Sequence, residues 1–294
     1  MLNARSARFD RPKSDYLALL LLGLLYGPLL VHWVVGWVKK TISIEHEYFS
    51  HGLIGLPFAA YLIWTQRQAW DALPGGTGHH GGLDRWAGLA LLILGGLFYL
   101  VGLPDTVNLS LPMVLTGGCL WLKGMPGLKL MGFPLLLIAL ATPNELPYLI
   151  APFTAPLQAF IAGSAGLILN LMGFPVRVEG IHLIMGNRLV EVAPYCAGLK
   201  MLFTSLYVAL MLLQWTDNLR SKSMVRTFLL LSAAVSVVGN IIRNTILTFF
   251  HGTGNESAFV WLHDGWGGDL YSGCLLGCLV LLIGALEKRM GPAV

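Results

Sequence analysis

The sequence predicts an all-α polytopic membrane protein: about eight transmembrane helices, an outer-face helix that is re-entrant or interfacial, and a short β-hairpin. Three observations predict it. The chain is 55% hydrophobic and 12% charged, against about 25% charged residues in soluble domains, and its mean hydropathy is +0.69. Its apolar runs approach the roughly 20 residues that a membrane-crossing helix needs. Its basic residues fall in alternate loops, as orientation in a membrane requires. No stretch is both long and polar enough for a separate soluble unit, so residues 1–294 are expected to form one integral domain. That domain has a short cytoplasmic tail at 1–15 and an outer-face subregion at 143–196.

The first apolar run, 16–38, exceeds the about 7–15 residues of a signal-peptide core, and no small-residue cleavage site follows it. It is expected to be a retained span. Further long runs lie at 86–103, 197–215, 226–250 and 267–286, with shorter ones at 51–66, 109–122 and 127–142. The stretch 148–172 is apolar, but it opens among Pro147, Pro152 and Pro156.

Basic loops decide that stretch. With the N-terminus inside, the tail, the loops 67–85, 123–130 and 216–226, and the C-terminus hold 13 of the 19 basic residues. Because 216–226 is the most basic internal loop, it belongs in the cytoplasm. Helix 197–215 then runs inward, which leaves Cys196 at the outer face. Segment 148–172 must leave and return on that side. Both termini are expected inside. Residues 175–195 alternate apolar and polar positions around Met185-Gly186-Asn187 and read as an outer-face hairpin. The formal charge of +4 calls for no nucleic-acid partner.

The same parity brings three chemically suited residues to one face. A thiolate is a strong nucleophile, and a helix N-terminus lowers a thiol's pKa; Cys196 precedes the helix that carries Lys200. Arg243 stands in the apolar run VSVVGNIIRNTILTFF. An ionisable group inside a span is a functional hypothesis by default, and a guanidinium suits a developing oxyanion. Asn240, one turn away, is placed to orient it or to bond a substrate carbonyl. His263, beside Asp264, suits a general acid and base; His251 and His51 are rivals on the same side. Tyr48, Ser50 and His51 belong to an outer polar cluster, His46-Glu47-Tyr48-Phe49-Ser50-His51, expected to contact substrate or to make structural hydrogen bonds. That cluster has no HExxH spacing, and the four cysteines show no zinc pattern, so neither a metal nor another cofactor is expected. The outer-face cations Lys39, Lys40, Arg177 and Arg188 are candidates to receive an acidic group. Polarity gathers at the outer ends of the spans, which favours a surface site over a transporter or lipid-handling pathway.

At these residues the chain resembles the exosortase/archaeosortase family of membrane cysteine transpeptidases. HEYFSHG, NELP at 144–147, Leu157-Gln158, GFPV at 173–176, APYCAGLKML, NIIRN and WLHDGWGG follow the family's order and spacing across most of the chain. Ala197 stands where the family usually has Ser. CAGLK and HDGWGGDLYS look most like the cyanobacterial branch. The resemblance implies Cys196 as nucleophile, Arg243 as transition-state stabiliser and His263 as acid and base. It implies a bacterial inner-membrane enzyme working at the periplasmic face among membrane lipids. Its partners would be the C-terminal Pro-Glu-Pro sorting signals of secreted proteins and an acceptor nucleophile of unknown identity. Intramembrane-type proteolysis without transfer is the alternative activity.

Overall fold

A computed structural model describes residues 13–40, 43–74, 82–192 and 199–290, with side chains from Leu20 onward. Each of the eight expected spans has a helix. Helix α1 covers Lys13–Lys39, α2 Ile44–Phe49, α3 Gly52–Thr65, α4 Arg67–Ala72, α5 Leu83–Val101 and α6 Pro104–Ala141. After these come α7 (Leu146–Ile150), α8 (Ala155–Leu171), a sheet, α9 (Leu199–Trp215), α10 (Lys222–Gly252), α11 (Glu256–His263) and α12 (Trp266–Met290). Among the described residues, six helical stretches are long and apolar enough to cross a membrane; α3 and α9 are shorter apolar helices. The chain is a multi-pass membrane protein.

Helix α6 supplies two spans, not one. At Gly124 the backbone turns to φ 61°, ψ −156°, a conformation that only glycine adopts cheaply. A Cβ built on Gly127 would lie 3.3 Å from the carbonyl of Cys119, eight residues earlier. A straight helix would rise about 12 Å over that distance, so the two limbs fold back on each other. They coincide with the runs expected at 109–122 and 127–142.

The main core forms where α1, α3, α6 and α9 meet, around Trp33, Ala59, Leu137, Ala141 and Tyr207. In lipid a polar group must find its partner inside the protein. Trp33 Nε1 accordingly donates to Asn108 Oδ1 (2.9 Å), and Tyr207 Oη to the Leu137 carbonyl (3.0 Å).

Residues 146–171 are by themselves long and apolar enough to span, yet both ends are tied to one end of the bundle. Tyr148 Oη donates to Glu47 at 2.7 Å. Beyond the other end, Phe174 packs edge-on against Phe249, in the last turns of α10. The apolar stripe of α8 (Ile161, Ala162, Ala165, Leu169) meets the sheet and α10.

The sheet holds the expected hairpin, β2-β3, and adds one strand to it. It has three antiparallel strands, β1 (Val176–Glu179), β2 (His182–Met185) and β3 (Arg188–Glu191), in the order β1-β2-β3. The register pairs Glu179 with His182 and Met185 with Arg188. Each turn is therefore two residues, opened by a glycine at φ 60°: Gly180 and Gly186. Such a glycine-first turn matches strand twist. Gly180-Ile181 sits inside the alternating pattern and therefore does not read as a break.

The structure also corrects the view that polarity gathers at the outer ends. Ser232, Ser236, Asn240, Asn244 and Thr248 repeat every four residues on one face of α10, and all are buried. Small polar side chains of this kind let membrane helices approach closely.

Candidate functional site

A cavity of about 440 Å³ opens where seven helices converge. Its wall takes Trp37 and Lys40 from the end of α1, His46 and Glu47 from α2, and Ser50 and His51 from the entry to α3. Lys200, Thr204 and Ser205 enter from the first turns of α9, Arg243 from α10, His263 and Asp264 from the end of α11, and Asp269 and Ser272 from α12. Of the expected site residues, the structure brings Lys40, Ser50, His51, Arg243 and His263 to this one wall. Cys196 lies outside the described residues.

Arg243 and His263 are connected through backbone. The guanidinium Nη2 of Arg243 is 3.5 Å from the carbonyl oxygens of both Leu262 and His263. These carbonyls end α11, where the helix dipole favours a cation. The His263 Nδ1 lies 2.6 Å from Asp264 Oδ1, so Nδ1–H donates to the carboxylate, and in the neutral ring Nε2 carries the lone pair. Phe259, one turn back on α11, stacks on the imidazole at 5.2 Å and 12°. The ring is thus held by a carboxylate on its edge and a phenyl on its face.

The rival histidines occupy different environments. His251 is off the wall; its Nδ1 is 3.3 Å from Glu256 and its ring contacts Phe259. His51 is on the wall but buried, with Nε2 3.2 Å from the Leu140 carbonyl. Burial pushes its pKa down to about 4. His46 is also pushed down to about 4, first by burial and then by the ammonium groups of Lys200 and Lys40.

These two histidines make stability depend on acid. In the unfolded chain both take a proton near pH 6.5, while in the fold they refuse it until about pH 4. Between those values the unfolded state binds more protons, so stability falls as pH falls. The thermal midpoint of the detergent-solubilised protein should drop from pH 6.5 to 4, and His51→Gln should flatten that slope.

The remaining expected residues lie elsewhere. Tyr48 is buried against Phe49 and Leu199, edge-on to Tyr148, next to the wall but not on it. Asn240 is buried below Arg243; its Oδ1 accepts from Asn244 at 2.9 Å, and among the described residues no hydrogen bond joins it to Arg243. Lys39 is exposed at the end of α1. Arg177 pairs with Glu179 on the open side of the sheet (2.9 Å). Arg188 bonds Glu256 and the His251 carbonyl (3.1 Å), tying β3 to α11.

Several wall residues were not expected, among them Asp269, which Lys40 Nζ meets at 2.5 Å, and Trp37 and Ser205, which are buried in the wall. A tryptophan near a span end reads as an interfacial anchor, and a serine in an apolar helix reads as packing. Neither carries a signal of its own.

The family model described as Transmembrane exosortase (Exosortase_EpsH) matches residues 37–280. Comparisons with curated proteins and with solved structures found no match. The matched span covers most of the chain and every residue of the cavity wall, from Trp37 to Leu276. With its multi-pass helical bundle and a site set at the converging helix ends, the chain belongs to the transmembrane exosortase family.

Proposed function

We propose that this chain is a membrane cysteine transpeptidase acting on the outer face of a bacterial inner membrane. It cleaves secreted proteins at a C-terminal Pro-Glu-Pro-type signal and passes the acyl group to a surface acceptor. Exosortases are sorting-related membrane peptidases and transpeptidases. In this chain the Cys196 thiolate attacks the scissile carbonyl. Arg243 stabilises the tetrahedral oxyanion with its fixed donors. His263 Nε2 takes the thiol proton and returns it to the leaving amine. The acceptor nucleophile then attacks the thioester carbonyl, takes the acyl group and releases the Cys196 thiolate.

The observation that carries this reading is the pairing of Arg243 with the backbone of His263 on one cavity wall. Cys196 precedes Leu199, the first residue of α9, by three residues. Three residues of chain reach at most about 11 Å, and the next residue, Lys200, is on the wall. The placement of 13 of the 19 basic residues opposite this face supports the outer side.

The test is co-expression with a tagged secreted protein bearing a Pro-Glu-Pro motif, a span and a basic tail. Cells that carry the chain should yield product cut at the motif, identified by mass spectrometry. An intact tail in cells with well-expressed chain would sink the proposal.

A further inference from the structure

The cavity wall contains buried polar atoms that find no partner among the described residues. There, Trp37 Nε1, Ser205 Oγ and His51 Nδ1 have no hydrogen bond. Trp37 is 4% exposed, Ser205 0% and His51 4%. Buried polar groups are nearly always satisfied, so each exception needs an explanation. Here all three face one cavity, and a ligand there would supply what the protein does not.

Their chemistry specifies that ligand. An indole N–H only donates, and a hydroxyl can donate. The Lys200 ammonium is on the same wall, donating to His46 Nε2 at 3.3 Å. The carboxylates of the wall are engaged: Glu47 accepts from Tyr148, Asp264 from His263, and Asp269 pairs with Lys40. His51 behaves differently. Its Nε2–H donates to the Leu140 carbonyl, so Nδ1 presents a lone pair and asks for a donor. An inorganic anion has no donor to give; a peptide has a backbone N–H beside any acidic side chain.

We propose that Trp37, Ser205 and Lys200 form a subsite for an acidic side chain of the substrate peptide, with His51 Nδ1 accepting a backbone N–H of the same segment. The subsite deepens the transpeptidase reading and rests on it for the identity of the peptide. It assigns acid recognition to the cavity, away from Arg177 and Arg188, which the sheet and α11 occupy.

The experiment measures binding apart from catalysis. Full-length protein carrying Cys196→Ala, in detergent micelles, is titrated against a fluorescein-labelled peptide holding Pro-Glu-Pro and against its Gln counterpart. A charge-assisted hydrogen bond predicts about tenfold or more tighter binding of the Glu peptide. Lys200→Met should erase that preference while leaving affinity for the Gln peptide within about twofold, because only the charge term is lost. Lys200→Arg should keep the preference, and Ser205→Ala and Trp37→Phe should each reduce it about threefold or more.

A preference unchanged in Lys200→Met overturns the subsite, as does equal binding of the two peptides by the parent. Inorganic phosphate displacing both peptides equally would point to a phosphate site and overturn it too. Glu preference in vitro with no cleavage in cells would reject the transpeptidase reading and leave the subsite standing.

Discussion

Cells expressing Cys196→Ala should accumulate the tagged substrate at full length, with processing reduced by about 10⁴-fold or more, the range seen when a nucleophile of a catalytic unit is removed. Cys196→Ser should be almost as inactive. A hydroxyl keeps the shape of the group, but it is not ionised near neutral pH, whereas a thiol ionises far more readily and its thiolate is the stronger nucleophile. The other cysteines provide the control. Cys119 is buried among Leu115, Met131 and Leu135, and Cys274 and Cys278 are exposed on α12. A chain with all three changed to Ala should still process substrate, with Cys196 as its single thiol. Substantial activity in Cys196→Ala, with protein levels matched to wild type, would remove the thiol from the mechanism.

Much of this architecture is legible in the sequence because a bilayer is a simple solvent. A run of apolar residues long enough to cross, and basic loops on one side, determine spans and parity. The break between the limbs of α6 could be expected from Lys123 and Lys129 in a Gly- and Pro-rich stretch, without knowing that Gly124 makes the turn. Parity brought Arg243 and His263 to one face, and they share a wall. Parity cannot resolve position within the plane of the membrane. Lys40, Arg177 and Arg188 look equivalent by side, yet Lys40 is on the cavity wall, Arg177 is on the open side of the sheet and Arg188 ties β3 to α11. Asp269, which pairs with Lys40 across the chain, is invisible for the same reason. The seam of Ser232, Ser236, Asn240, Asn244 and Thr248 was legible, since its period of four can be read directly. Its burial was not, because an amphipathic face can meet water, lipid headgroups or another helix.

Arg243→Lys should separate a catalytic guanidinium from a structural cation. Both side chains are charged at any working pH, and both can approach the carbonyls of Leu262 and His263 that end α11. If Arg243 only anchors α11 against α10, lysine should replace it with a rate within about threefold of wild type, since a helix-end cation contributes about 0.3–1 kcal/mol however it is supplied. An oxyanion makes a stricter demand. It needs donors at fixed positions around an oxygen that develops charge only in the transition state. The planar guanidinium can hold two carbonyls with one edge and present donors from another, whereas an ammonium on a flexible stem is a point charge. Loss of one such donor costs about 10²–10³-fold in kcat. The loss should appear in kcat with KM little changed, because the interaction is absent from the ground state. Arg243→Ala should add a second defect, a lower thermal midpoint, because the carbonyls at the end of α11 lose their cation. A lysine variant that processes substrate at near wild-type rate would show that Arg243 holds His263 in place without touching the reacting carbonyl.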